Sequence, residues 1–401
     1  MSVAAEEACP LVAKIVKGAS LRSDAAGVRA SVAITGAGLC SSLGDLVTAC
    51  AAARAGVSRP LDMTPEDMLP PDPGPDEIVA SVVGHPVPNV AGFRGEGRLV
   101  ALAEQALIDL LAQDPEEEER SRLGFHLCLP DPKLRRLPPD PEADELDPRQ
   151  AAREDQGATD ALLARILAAV ELPVAGGDRR VHLSGAPGLA TAIDEAMLAL
   201  EAGELDGCIV GAIDSQLDDD VLALLADAGR LKGPEASNGL MPGEAAVVLR
   251  LERPDVARSR RRATLATISA TATAQGEDVT AIDRPPRGTA LVELLAALTR
   301  ARGPLPPGGF WFLTDQNGET FRALEWGDFI LRASGRYPGV SEAPLWYPAI
   351  AFGDTGAASG ALGIAMAVRA FAGSYAPATS ALVLSSSLHG GRSVVRVDRP
   401  R

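Results

Sequence analysis

From Ser31 onward the chain alternates short apolar runs with longer segments whose apolar residues recur at helical spacing. Ser31-Val-Ala-Ile-Thr35 is a continuous apolar run ended by glycine, the pattern of a buried strand. It leads through a Gly36-Ala-Gly38 turn into an alanine-rich helix over residues 46–55. Residues 57–96, rich in Pro, Gly and Asp, read as a long excursion. A helix over 99–112 ends at the solvated run Asp114-Pro-Glu-Glu-Glu-Glu119. A strand at 126–130, a proline-rich loop to 150 and a helix over 158–169 follow. Then come a strand at 180–183, the turn Ser184-Gly-Ala-Pro-Gly188 and a helix over 190–202. A strand at 206–211, a helix over 217–228 and a strand at 245–251 lead to a linker, 254–262. The remainder predicts strands at 263–273, 310–313, 380–385 and 393–397 and helices over 289–302, 320–333 and 361–372. Strands alternating with helices imply an α/β architecture with largely buried sheets.

A faint repeat runs through this order. Ala192-Ile-Asp-Glu-Ala-Met197 is similar to Ala361-Leu-Gly-Ile-Ala-Met366, and each follows a glycine-rich turn and leads into a strand. A duplicated βα unit would account for it. The small residues of both helices suit close packing at the centre, where the two helix starts would converge.

Composition narrows the function classes. The 401 residues allow two or three domain-sized units, and an apolar fraction of 46% is too high for a disordered chain. With 38 Lys and Arg against 54 Asp and Glu, the net charge of −16 argues against nucleic acid and against an anionic membrane surface. Cys9, Cys40, Cys50, Cys128 and Cys208 are scattered, odd in number and without a CxxC pair. They fit a reducing compartment and predict neither a disulfide framework nor a metal site. Residues 1–30 read as an N-terminal extension with an acidic start, and its short apolar stretch is broken by Lys14 and Lys17. No signal or spanning segment is expected there, and the expectation is a cytoplasmic protein.

Five segments in order carry a resemblance. They are Val32-Ala-Ile-Thr-Gly-Ala-Gly-Leu-Cys-Ser-Ser-Leu-Gly44, Gly203-Glu-Leu-Asp-Gly-Cys-Ile-Val-Gly-Ala-Ile-Asp214 with the helix before it, Gly239-Leu-Met-Pro-Gly-Glu-Ala-Ala-Val-Val-Leu249, Gly353-Asp-Thr-Gly-Ala-Ala-Ser-Gly360, and 385–391. Together residues 31–399 resemble a β-ketoacyl-[acyl carrier protein] synthase of the thiolase superfamily. The resemblance implies a thiolase-like fold, five-layered α-β-α-β-α and built from two similar halves, 31–254 and 255–401. It also implies a homodimer with a strand pairing across the two-fold axis, an acyl carrier protein as partner, and no cofactor.

That family's chemistry needs a cysteine at a helix N-terminus and two histidines. The cysteine position falls on Ala186, whose methyl group has no nucleophilic lone pair. The first histidine position falls on Asn317, which can donate a hydrogen bond but cannot shuttle a proton. The second falls on Asp354, which when ionised only accepts. All three losses together predict that Claisen condensation has been abandoned.

Ser184 with His182 is the fallback nucleophile and base, against a structural hydroxyl and a satisfied core imidazole. His389, before Gly390 and Gly391, takes the place of the family's gatekeeping phenylalanine. It reads as a polar gate or, more plainly, as a loop imidazole filling the lost ring's space. His85 and His126 have no special company in the sequence. Asp214 with Asp218, Asp219 and Asp220 fits no cation loop and reads as helix N-terminal carboxylates. Three functions remain open: an inactive homologue that works by binding, as do degenerate thiolase-like proteins that serve type VI secretion effector loading or stability; an acyltransferase with an altered nucleophile; and a chain-length-factor-like partner of an active ketosynthase.

Overall fold

The computed structural model describes residues 30–63, 81–113, 122–135, 148–233 and 236–400, with backbone alone for 148–156. The predicted N-terminal extension and acidic run, with much of the excursion and of the proline-rich loop, lie outside the described residues.

The first half runs β1 (Val32–Ser41), α1 (Leu46–Arg54), α2 (Gly95–Leu111), β2 (Leu123–Cys128), α3 (Pro148–Ala169), β3 (Arg179–His182), α4 (Gly188–Glu201), β4 (Gly207–Ser215), α5 (Asp219–Asp227), β5 (Glu244–Glu252) and α6 (Pro254–Ser259), apart from a separate two-stranded ladder of Leu61–Asp62 with Val83–Gly84 between α1 and α2. The second runs β6 (Ala266–Gln275), α7 (Thr289–Arg302), β7 (Phe310–Thr314), α8 (Thr320–Ser334), β8 (Leu345–Trp346), α9 (Ala349–Phe352), α10 (Ser359–Ala372), β9 (Ser380–Ser386) and β10 (Gly391–Asp398).

The strand order is β3-β2-β4-β5-β1 in the first half and β8-β7-β9-β10-β6 in the second. Counted from its own first strand, each half reads one, five, four, two, three. The directions agree as well: β5 is antiparallel to β1 and β4, and β10 to β6 and β9, while the outer pairings are parallel. The faint sequence repeat is thus the trace of a duplicated unit. A three-residue pairing of Val32–Ile34 with Ile268–Ala266 joins the two sheets at their edge.

Five layers follow from the packing. Helix α2 lies on β1, β4 and β5 with α3 against it, and α7 lies on β6 and β10 with α8 against it. Between the sheets, α4 touches β2 and β4 of its own half and β6 and β10 of the other. Helix α10 touches β7 and β9 and also β1 and β5. A helix covered on both sides is apolar all round, which is why α10 reads Ser-Gly-Ala-Leu-Gly-Ile-Ala-Met-Ala-Val. Strand β7 serves both faces at once. Phe310 and Phe312 enter the outer core with Phe329, while Trp311 and Leu313 enter the central one.

Two local expectations need correction. Gly36-Ala-Gly38 is no turn but the middle of β1, with a bulge between Ile34 and Gly36. Its glycines are there because α2 presses on the strand. A Cβ on Gly38 would sit 2.0 Å from the Ala106 carbonyl oxygen. Residues 254–259 are helical rather than linker. Just beyond it, Arg260 and Arg262 reach back to the buried Glu252 at 3.1 and 2.7 Å. Among the described residues no helix is long and apolar enough to cross a membrane.

Candidate functional site

The starts of the two central helices meet. Ala186 is buried in the turn ahead of α4, held by Gly185, which has a φ of 62° and donates its N–H to Leu129. Gly360 opens α10 beside it. A Cβ there would lie 2.5 Å from Ser385 Oγ, 3.3 Å from Leu189 Cδ2 and 3.6 Å from the Ala186 carbonyl oxygen. A Cβ on Gly391 would lie 3.5 Å from Pro187. Ala186 thus lies just ahead of the N-terminus of α4, where the helix dipole favours negative charge, and its methyl group carries none.

Next to Gly360, Ser359 shares a cavity with Asn317 and Asp354. Asn317 Nδ2 donates to Asp354 Oδ2 at 2.5 Å and to Glu319 Oε2 at 2.8 Å, so both amide hydrogens are spent within the protein. Asp354 Oδ1 accepts from Gln216 Nε2 at 2.9 Å and from the Gly356 N–H at 2.8 Å. Glu319 is held in a two-pronged grip by Arg230 at 2.7 and 3.0 Å. Arg322 joins Asp315 at 2.8 Å and Ser386 Oγ at 2.5 Å. The result is a connected polar network that includes two of the positions the resemblance assigns to catalysis, Asn317 and Asp354. The cavity beside it is about 10 Å³, lined by Asp315, Asn317, Pro348, Gly353, Asp354 and Ser359. That is about one water, whereas small-molecule sites take roughly 300–1,000 Å³.

Charge compensation acts on two members of the network. Burial works to raise the Glu319 carboxyl, but Arg230 and Arg322 outweigh it and hold it below its ordinary range. Burial works to lower the Arg322 guanidinium, but Asp315, Glu319 and Asp354 push it up. Asp214 is a helix N-terminal carboxylate only in the sequence. In the fold it is buried, accepts from Arg135 and from the Ala357 N–H at 2.5 and 2.8 Å, and has its pKa raised by burial.

The fallback pair does not assemble. Ser184 is exposed, and His182 Nε2 is buried without a hydrogen-bond partner, so that nitrogen takes no proton from Ser184. His182 is thus not the satisfied core imidazole of the plainer reading. His126 gains company that its sequence surroundings lack, with its ring centroid 5.8 Å from that of His182. His389 donates from Nδ1 to Asp278 at 3.1 Å on a half-exposed loop, and Gly390 turns there with a φ of 87°. Cys40, Cys50, Cys128 and Cys208 are buried free thiols. Burial raises all four, Cys40 and Cys50 to about 12, so none is poised as a thiolate.

In fold, the chain resembles solved ketosynthase structures. An oxazolomycin ketosynthase domain from Streptomyces albus superposes with a TM-score of 0.68 at 16% identity, over 92% of this chain and 75% of that one. The ishigamide ketosynthase/chain length factor gives 0.65 at 20% identity, over 92% of this chain and all of that one. A type II PKS acyl-carrier protein in complex with its ketosynthase bound to the hexaketide gives 0.67 at 16%, over 93% and 100%. The fold is thiolase-like, of the ketosynthase kind. No family model matches the chain, and no curated protein sequence does.

Within the thiolase-like fold, the sequence pointed to Ala186, Asn317 and Asp354, and the structure brings Asn317 and Asp354 into contact. It did not point to Gln216, Arg230, Glu319 or Arg322. Arg322 lies in the first turn of a predicted helix, where an arginine ordinarily faces solvent, so nothing local marks it as buried.

Proposed function

We propose that this protein is a catalytically inactive homologue of the β-ketoacyl synthases that works by binding another protein. The observation that carries this reading is the Asn317–Asp354 hydrogen bond, which spends a polar pair on itself where a condensing site would hold two substrate-facing imidazoles. Ala186 at the nucleophile position and a cavity of about 10 Å³ support it. The test is incubation with acyl- and malonyl-carrier protein, followed by intact mass and release of carbon dioxide. Neither an adduct nor decarboxylation is expected. An acyl adduct on Ser184 would sink the reading in favour of an altered nucleophile.

A second reading, a chain-length-factor-like partner of an active ketosynthase, draws support from the likeness to the ishigamide ketosynthase/chain length factor over that chain's full length. Affinity purification from native cells separates the two. Recovery of an active ketosynthase favours the second, and recovery of a type VI secretion effector or its adaptor gives the first its partner. The same proposal includes a homodimer. Strand β3 pairs with β2 on one side and forms an edge of the sheet, so a second copy could extend the sheet across a two-fold axis. Sedimentation at micromolar concentration reads that state.

A further inference from the structure

We propose that His126, His182 and Glu195 form a binding site for one zinc(II) ion per chain. Strands β2 and β3 run parallel with Cys128 opposite His182 and His126 opposite Arg180. Side chains alternate along a strand, so His126 and Cys128 share a face, and His182 shares it with them. Helix α4 packs over that face and brings Glu195. The three residues offer one ligand atom each, all within 4.8 Å of one another. His182 Nε2 lies 3.7 Å from Glu195 Oε2. Donors bound at about 2.1 Å to a tetrahedral ion are roughly 3.4 Å apart. The Glu195 side chain is 44% exposed and so has room to close the difference.

Two features go beyond proximity. His126 Nδ1 lies 3.1 Å from the Ala192 carbonyl oxygen. A carbonyl can only accept, so the proton sits on Nδ1 and the lone pair on Nε2. A ligating histidine is commonly oriented in this way by its second nitrogen. The His182 side chain is only 10% exposed, and its Nε2 has no hydrogen-bond partner. An orphaned imidazole nitrogen in the core is costly, and a metal ion would satisfy it. Two imidazoles and one carboxylate, with the carboxylate toward solvent, are a zinc-type donor set with room for a water. The ion would pin α4 to the β2–β3 edge. It uses none of the residues of the polar network around Asp354.

The test uses the full chain without a histidine tag, in competition with a chromophoric zinc chelator, and cobalt(II) as a spectroscopic probe of geometry. One zinc per chain is expected, with a tetrahedral cobalt spectrum. His182→Asn and Glu195→Gln are each expected to weaken binding at least tenfold. Glu195 is half-exposed, so its variant retains the fold, which circular dichroism verifies. Absence of stoichiometric binding by the wild type would overturn the proposal. So would an affinity unchanged in both variants, which would place the metal elsewhere on the surface.

Discussion

Replacing Asp354 by histidine installs the ring that the family resemblance expects at this position. The carboxylate accepts from Asn317 Nδ2, Gln216 Nε2 and the Gly356 N–H. A neutral imidazole offers one lone-pair nitrogen, so at least two donors lose their acceptor. Each buried donor left unpaired costs about 1–3 kcal/mol, or about 2–6 kcal/mol for the two. The larger ring also enters a space with about 10 Å³ to spare, and overpacking adds about 1–3 kcal/mol. Asp354→Asn is the control. Its remaining oxygen can face Gln216 and Gly356, which strands only Asn317 and costs about 1–3 kcal/mol. Urea unfolding followed by tryptophan fluorescence gives both values from midpoint and slope. A histidine variant that unfolds within about 0.5 kcal/mol of wild type, the ordinary range of a surface change, would refute this role for the Asp354 carboxylate. So would an asparagine variant that costs as much as the histidine one. Ala186→Cys combined with Asp354→His should take up no acyl group from acyl-carrier protein by intact mass.

Gly38→Ala should destabilise the protein by at least about 1–3 kcal/mol in the same unfolding assay, because its methyl would meet the α2 backbone; an unchanged midpoint would mean that α2 stands off β1. Glu319 has a folded pKa below its unfolded value, so its contribution is present above about pH 4.3 and is lost as pH falls through the folded pKa. The stability gap between wild type and Glu319→Gln should therefore shrink on acidification below about pH 4.3 and stay level above it; a gap that grows toward low pH contradicts the ion-pair account. Peptide mapping after brief exposure to a thiol reagent should find Cys40, Cys50, Cys128 and Cys208 unmodified in the native protein and modified in urea; rapid native labelling of any of the four would show that its burial is wrong.

Much of the fold is legible in the chain because period and burial are local properties. The run Phe310-Trp-Phe-Leu-Thr314 is β-branched and aromatic enough to be a strand wherever it is placed, and it is apolar on both faces because it is covered on both. The helix over 289–302 starts after Gly288 and ends at Gly303, and the structure keeps those limits. Gly36 and Gly38 misled for the opposite reason. Glycine marks a turn when only neighbours in sequence are considered, but here it answers to α2, some seventy residues further on. Asp214 misled likewise, since its partner Arg135 is 79 positions away.

By itself, the sequence determined that no acyl-enzyme can form at residue 186, because an alanine methyl lacks a nucleophilic lone pair in any fold. It also determined most of the order of strands and helices, though not α6, β8 or α9, and a six-residue echo pointed to the duplication behind them. Only the tertiary structure decided which partners the residues around this position meet. Asn317 is paired with Asp354, and Arg230 and Arg322 with Glu319, because α8, α10 and the loops before them are brought together by sheet order. It likewise set His126 beside His182, since strand register, which no local pattern encodes, decides which side chains of neighbouring strands share a face.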